Sequence, residues 1–187
     1  MSDKFYLTTP LYYVNSKPHI GHSYTNIAAD TLARFHRLAG KEVLFLTGTD
    51  EHGQKVEKAA QAAYMPVKDF TDKMSLIFRN LWKTLNVSHD DFIRTTEDRH
   101  KGTVKYVWEK MKSAEVLVNG KNEKVLYKHT YDGFYCVFCE TFITEGLLDP
   151  AEPSKCPECK RPLEKMKEDT YFFRMSVFIK TFIRIFK

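Results

Sequence analysis

Several features that would place a chain in a membrane, in an export pathway or in a repeat class are missing from this sequence. No apolar stretch reaches the roughly 20 residues that a membrane-spanning helix needs. Residues 1–4 lead directly into an alternating pattern, without the apolar segment of a secretory signal. No solenoid-period repeat and no low-complexity tract occurs in the 187 residues. We therefore expect a cytoplasmic globular protein with no membrane partner.

Cysteine is scarce, and its four copies form two C-x-x-C pairs. Cys136 and Cys139 are separated from Cys156 and Cys159 by 16 intervening residues. In a chain without an export signal, this spacing favours one tetrahedral Zn²⁺ over disulfides or buried free thiols. Four thiolates would close the coordination shell, so we expect one structural Zn²⁺ per chain and no catalytic role for it.

Neither sign of charge dominates the sequence. The net charge is +5, with 28% charged and 43% hydrophobic residues. This composition indicates a folded protein with one substantial core, or one core and a small additional module. The positive charge suits a polyanion such as RNA or a nucleotide phosphate, but an ordinary lysine-rich surface gives the same sum.

Hydrophobic periodicity predicts an α/β arrangement in the first part of the chain. Residues 4–9 alternate as a strand, residues 21–39 have helical spacing with Ile27, Leu32 and Phe35 on an apolar stripe, and residues 42–47 are typical of a buried parallel strand. Strand, helix and strand in this order predict a right-handed βαβ unit. Further helices are predicted over 54–63, from Pro66 onward and over 97–113, with a short strand at 92–94.

The pattern changes near Glu115, where we place a module boundary. Beyond it, residues 125–127, Tyr131 and residues 134–135 predict short antiparallel strands around a turn at Asp132 and Gly133. The two cysteine pairs follow.

The run of residues 8–22 joins the first strand to the first helix and places His19 and His22 on either side of Gly21. A helix N-terminus presents free N–H groups and a positive dipole end, which suit phosphate. Histidines at this spacing could also cap the helix or bind a metal, although no third ligand is evident nearby. The second strand runs into another polar loop, residues 48–54, at the same sheet edge, and two such loops predict a ligand crevice.

These segments resemble the methionyl-tRNA synthetases, a family of class I aminoacyl-tRNA synthetases. The resemblance covers residues 4–176 and rests on five segments in the family's order: 8–22, 45–54, 91–96, 135–141 and 170–174. It implies an α/β fold with a Rossmann-like parallel sheet. By this resemblance the first half of the class I core occupies residues 1–115. A small zinc-binding β-rich connective module follows at residues 116–170, and a returning segment begins the rest of the core at residues 171–187.

The resemblance also implies an activity. It predicts ATP-dependent activation of L-methionine to methionyl-adenylate and transfer of the methionyl group to tRNA(Met), with Mg²⁺ accompanying ATP. His19 and His22 would be catalytic, stabilising charge on the α-phosphate. By the same resemblance ATP contacts Tyr12, His19, Gly21 and His22, and methionine contacts Pro10, Leu11, Tyr13 and Asp50. Without the resemblance, Pro10 and Leu11 would be assigned turn or core roles.

The sequence lacks the family's second half-core, its KMSKS loop and its anticodon-binding domain. We therefore expect a truncated chain that is inactive alone, with a complementary C-terminal fragment as a possible partner. The alternatives are a non-catalytic zinc-binding product, one subunit of a split synthetase, or a different nucleotidyltransferase with the same histidine motif. The tail from Val177 places Lys180, Arg184 and Lys187 on one helical face. It predicts either a basic amphipathic anchor or a helix orphaned by truncation or frameshift.

Overall fold

The computed structural model describes residues 3–179 and divides the chain into two compact units, the first ending at Val104 and the second beginning at Lys105. The first unit contains β1 (Lys4–Thr8), β2 (Tyr12–Tyr13), α1 (Ile20–Leu38), β3 (Glu42–Asp50), α2 (Gln54–Ala62), α3 (Val67–Thr84), β4 (Asp91–Arg94) and the start of α4 (Asp98–Ser113). The second contains the rest of α4, followed by β5 (Glu115–Val118), β6 (Lys121–Lys124), β7 (Leu126–Cys136), β8 (Thr141–Ile143) and β9 (Glu164–Phe173).

The first unit is built on a parallel sheet with β3 at its centre. β3 pairs with β1 along Glu42 to Leu46, with β4 along Leu46 to Thr49, and with β2 at its last two residues. All these pairings are parallel, so the carboxyl ends of the strands meet at one edge. The predicted α/β fold with a parallel sheet is confirmed, and β3 continues three residues beyond the predicted end, through Asp50.

Gly48 allows β3 and β4 to approach closely. A Cβ at this position would lie 2.0 Å from the carbonyl oxygen of Ile93 and 2.7 Å from its Cγ2. No side chain fits there without moving β4. The core beside the sheet is closed by large side chains of α3 and the strands, including the fully buried Phe45, Phe78 and Trp82.

The face of α1 that packs inward differs from the prediction. The helix buries Asn26, Ala29, Asp30 and Ala33, whereas the predicted apolar stripe is exposed, with Ile27 at 48%, Leu32 at 49% and Phe35 at 62%. The alanines let the helix backbone approach the sheet closely. Asp30 anchors the same face because its carboxylate accepts hydrogen bonds from the backbone N–H and hydroxyl of Ser88 at 2.7 and 2.5 Å.

The second unit contains antiparallel pairs. β5 pairs with β6, and β7 lies between β8 and β9. The predicted turn at Asp132 and Gly133 is wrong, because both residues lie inside β7 and pair with Lys167 and Met166 of β9. A ten-residue ladder therefore replaces the predicted short strands.

Residues 175–178 form a short 3₁₀ helix, and the predicted basic face with Lys180, Arg184 and Lys187 lies outside the described residues. Among the helices of residues 3–179, none has the length and apolar character that crossing a membrane requires.

Candidate functional site

The N-terminus of α1 is capped by the two histidines of the predicted phosphate turn. His19 is the N-cap, and its Nδ1 accepts the N–H of Gly21 at 3.1 Å. His22 reaches back, and its Nδ1 accepts the N–H of His19 at 3.1 Å. This is a capping box in which imidazoles replace the usual hydroxyl and carboxylate. Because both Nδ1 atoms accept, each ring carries a proton on Nε2, and among residues 3–179 that N–H has no protein acceptor and can donate to a ligand.

The two rings form a stacked pair on an aromatic base. Their centroids are 3.9 Å apart, and the ring of His22 also packs edge-on against Tyr12 and Phe78 at 4.8 and 5.4 Å. Burial lowers the pKa of His22 from its ordinary value of 6.5, and neighbouring His19 lowers it further. His22 is therefore neutral at pH 7, as its accepting Nδ1 requires.

Gly21 leaves room for the His19 ring. A Cβ on Gly21 would lie 3.0 Å from Cε1 and 3.1 Å from Nδ1 of His19. This crowding gives the glycine a role in the cap itself, in addition to the close ligand approach expected from the sequence.

The carboxyl edge of the sheet brings Tyr13 and Asp50 together. They are register partners in the β2–β3 pairing, so their side chains leave the sheet side by side. Tyr13 is 39% exposed, and the ammonium of Lys55 lies 5.6 Å from the centre of its ring. The Asp50 carboxylate accepts hydrogen bonds from the hydroxyl of Thr95 at 3.2 Å and from the backbone N–H of His52 at 3.4 Å. A partly exposed carboxylate next to an aromatic ring can bind a cationic group of a small ligand.

The remaining predicted ligand contacts lie on the same turn with different exposure. Pro10 is exposed and Leu11 is half-buried. Tyr12 is only 6% exposed, and its hydroxyl accepts a hydrogen bond from the Asn26 amide at 2.7 Å. Tyr12 thus packs against the ring of His22. Its contact with ATP stays a prediction.

Sequence reasoning missed an ion-pair network beside Asp50. The Glu51 carboxylate is fully buried and receives the Arg94 guanidinium through Nε at 2.6 Å and Nη2 at 2.8 Å. Arg94 also pairs with Asp72 at 2.6 Å, and these hydrogen bonds raise the pKa of its guanidinium. A cavity of about 420 Å³ adjoins the network and is lined in part by His52, Lys68 and Thr96. The sequence signal for this ion pair is an acidic residue, Glu51, directly after one strand and an arginine, Arg94, at the end of the neighbouring parallel strand.

The four cysteines come together in the second unit. Their Sγ atoms all lie within 4.8 Å of one another, with 3.5 Å between Cys136 and Cys159 and 3.9 Å between Cys139 and Cys156. Tetrahedral Zn²⁺ with bonds of about 2.3 Å requires sulfur separations of about 3.8 Å, so the cluster fits a metal ion. Backbone N–H groups of Cys159 and Glu158 outweigh burial and lower the pKa of Cys156, whereas the hydrogen bond with the Cys159 thiol raises the pKa of Cys139. The first thiolate of the cluster therefore forms at Cys156.

Comparison with known proteins gives consistent matches. The family model "tRNA synthetases class I (M)" matches residues 5–180. The methionine–tRNA ligase of Thermotoga maritima is 48% identical over 185 residues, which are 98% of this chain and 28% of the relative. That of Clostridium tetani is 46% identical over 180 residues, 96% of this chain and 26% of the relative.

A solved structure, Mycobacterium tuberculosis methionyl-tRNA synthetase in complex with methionyl-adenylate, superimposes with a TM-score of 0.86 at 37% identity. The match covers 100% of this chain and 35% of that one. The chain thus spans about a quarter to a third of the length of these relatives. Because the family model covers nearly the whole chain and the fold agrees, the chain belongs to the methionyl-tRNA synthetases of class I.

Proposed function

We propose that this chain supplies the first half of a methionine-activating site in a methionine–tRNA ligase. The observation that carries the proposal is the pair of Nε2–H donors at the N-terminus of α1. The same loop begins at the end of β2, where Tyr13 lies beside Asp50 of β3. Relatives named methionine–tRNA ligase at 46–48% identity support it. The substrates would be ATP with Mg²⁺, L-methionine and tRNA(Met).

In this reaction an oxygen of the methionine carboxylate forms a bond to the α-phosphorus of ATP, and the bond to the β-phosphate breaks to release pyrophosphate. Negative charge builds up on the α-phosphate oxygens in the transition state. The Nε2–H groups of His19 and His22 donate to those oxygens, and the helix N-terminus adds its positive dipole end. Gly21 keeps the backbone accessible to the nucleotide.

The methionine would occupy the carboxyl edge of the sheet. Asp50 accepts a charge-assisted hydrogen bond from the α-ammonium, while Pro10, Leu11 and Tyr13 provide apolar surface for the thioether. We assign Zn²⁺ to the four cysteines of the second unit, where it stabilises the fold and takes no part in the chemistry. We assign the protein to the cytoplasm, because four unbridged cysteines in zinc-site spacing suit a reducing compartment.

Methionine-dependent exchange of labelled pyrophosphate into ATP tests the proposal. The chain is assayed alone and mixed with a polypeptide that supplies the remainder of the Thermotoga maritima relative. We expect exchange in the mixture and none from these 187 residues alone, because they match only about a quarter of the relatives' length. His22→Asn should lower the rate on the order of 10²-fold by removing a transition-state donor.

His100→Asn is the matched control, since His100 lies within α4 and is not part of the capped turn, so its loss should leave exchange unchanged. No exchange in any mixture would refute the proposal. A signal with cysteine and none with methionine would indicate a different nucleotidyltransferase, and full activity of the chain alone would contradict the half-site.

A further inference from the structure

Within the part of the chain that the structure describes, protein donors hold the Asp50 carboxylate by one of its two oxygens. The hydroxyl of Thr95 and the backbone N–H of His52 both donate to Oδ1, at 3.2 and 3.4 Å. Within residues 3–179, no protein group donates a hydrogen bond to Oδ2. One oxygen is thus fixed from the protein side, and the other is left for a ligand.

The direction of the Thr95 hydrogen bond follows from its neighbours. The backbone N–H of Glu51 donates to Thr95 Oγ1 at 2.9 Å, so the single hydroxyl proton is free to be donated to Asp50. Thr95 is 7% exposed, and its own backbone N–H donates to the carbonyl of Thr49 at 3.2 Å. Thr95 is therefore held at the end of β3 through its backbone and through both hydrogen bonds of its hydroxyl.

The residue next to Asp50 is anchored more firmly still. Glu51 receives the Arg94 guanidinium on both carboxylate oxygens, and its carboxylate is fully buried. Bidentate arginine pairs fix geometry as well as charge. Because Arg94 directly precedes Thr95, the same ion pair sets the position of the Glu51 N–H and of the threonine that accepts from it.

We propose that Thr95 is a positioning residue, whose hydroxyl fixes the Asp50 carboxylate so that Oδ2 faces the primary ammonium group of the amino-acid substrate. The inference rests on the proposed function, in which Asp50 binds that ammonium. A carboxylate that is already oriented does not lose rotamer freedom when the ligand binds. Thr95 itself does not touch the substrate.

The side-chain rotamer of Asp50 provides a test that needs no ligand. Three-bond couplings from Asp50 Cγ to its backbone nitrogen and carbonyl carbon report χ1. We expect one rotamer in the wild-type chain, averaging over rotamers in Thr95→Val, and a single rotamer again in Thr95→Ser. Thr96→Val is the matched control, because the Thr96 hydroxyl donates to Glu51 and not to Asp50. A single unchanged rotamer in Thr95→Val would overturn the proposal.

The exchange mixture described above provides the functional readout. Thr95→Val should raise the KM for methionine about tenfold with little change in kcat, and Thr95→Ser should restore it, because only substrate positioning is lost. An equal loss in kcat, or the same KM effect from Thr96→Val, would indicate a merely structural role. If the wild-type mixture shows no exchange, the proposed function fails, while the rotamer measurement still decides the role of Thr95.

Thr95→Val leaves the Glu51 N–H without its acceptor, and the variant could unfold for that reason. The wild-type chain then provides the measurement. A slowly exchanging Thr95 hydroxyl proton with a nuclear Overhauser contact to the Asp50 Hβ protons is the expected result. A rapidly exchanging hydroxyl, or one without that contact, would overturn the inference.

Discussion

At the scale of single residues, the two imidazoles of the capped turn serve both the backbone and a ligand. Each uses Nδ1 to accept a main-chain N–H and keeps Nε2–H available. The sequence was sufficient to single out His19 and His22, because their spacing around a glycine at a strand-to-helix turn is visible in one chain. Which nitrogen of each ring accepts the backbone N–H was not predictable, since this depends on the backbone geometry at the first turn of α1.

The lowered pKa of His22 makes this turn sensitive to acid. A group whose pKa is below its unfolded value of 6.5 binds fewer protons in the folded state, so its contribution to stability is full above pH 6.5. That contribution is lost as the pH falls through 6.5 towards the folded pKa, because protonation of Nδ1 breaks the cap.

An NMR titration should therefore give a midpoint below 6.5 for His22. The protection factors of the amides in the first turn of α1, which are corrected for the intrinsic slowing of exchange in acid, should fall as the pH drops below 6.5. Amides in the first turn of α3, which has Pro66 and no imidazole at its N-cap, are the control. A His22 midpoint at or above 6.5 would contradict the structure.

At the scale of elements, periodicity located the helices and strands well but did not identify the face that α1 buries. For α1 we predicted that the apolar stripe is buried. The helix instead packs through Ala29 and Ala33 and through the hydrogen bonds that Asp30 accepts from Ser88. Contacts across more than 50 residues carry no local signal. Similarly, Asp132 and Gly133 have the composition of a turn, but pairing with β9 keeps them in a strand.

The close approach of β3 and β4 predicts that a side chain at Gly48 lowers the free energy of unfolding. Gly48→Ala should destabilise the fold by about 3 kcal/mol, because the new methyl group overlaps the Ile93 carbonyl and forces the strands apart. Gly102→Ala is the matched control, since a Cβ there has no heavy atom within 4 Å. In the interior of α4 it should stabilise by about 1 kcal/mol.

Urea unfolding of both variants, followed by far-UV circular dichroism, measures the difference. Equal stabilities for Gly48→Ala and the wild type would show that β4 can move away without loss.

At the scale of the whole molecule, the chain consists of two units whose stability has different sources. The first has a hydrophobic core that includes Phe45, Phe78 and Trp82, whereas the second has few fully buried side chains, among them Cys136 and Cys156 of the cysteine cluster. The spacing of the cysteines was enough to predict that cluster, because two C-x-x-C pairs constrain geometry locally. The long β7–β9 ladder that precedes and follows it was not predictable from short apolar segments.

The two tryptophans report on the two units separately. Trp82 is fully buried in the first, and Trp108 packs against Tyr171 in the second at 5.1 Å between ring centres. With 5-fluorotryptophan in both positions, a zinc chelator should shift and broaden the ¹⁹F signal of Trp108 and leave that of Trp82 unchanged, because binding of a structural metal is coupled to folding.

Cys139→Ser without chelator should reproduce the chelated Trp108 signal, and chelator in excess Zn²⁺ should have no effect. Protein purified without chelators that holds less than about half a metal ion per chain, or a Trp108 signal that survives removal of the metal, would contradict a metal-dependent second unit.

The mutual capping of His19 and His22 has a consequence for measuring their roles. Each imidazole holds the backbone from which the other projects, so replacing one also displaces its partner. Effects of the single substitutions will not add up to that of the double, and a thermodynamic cycle should give a large coupling energy. In this protein the two histidines are one energetic unit, and the quantity to assign is the contribution of the pair.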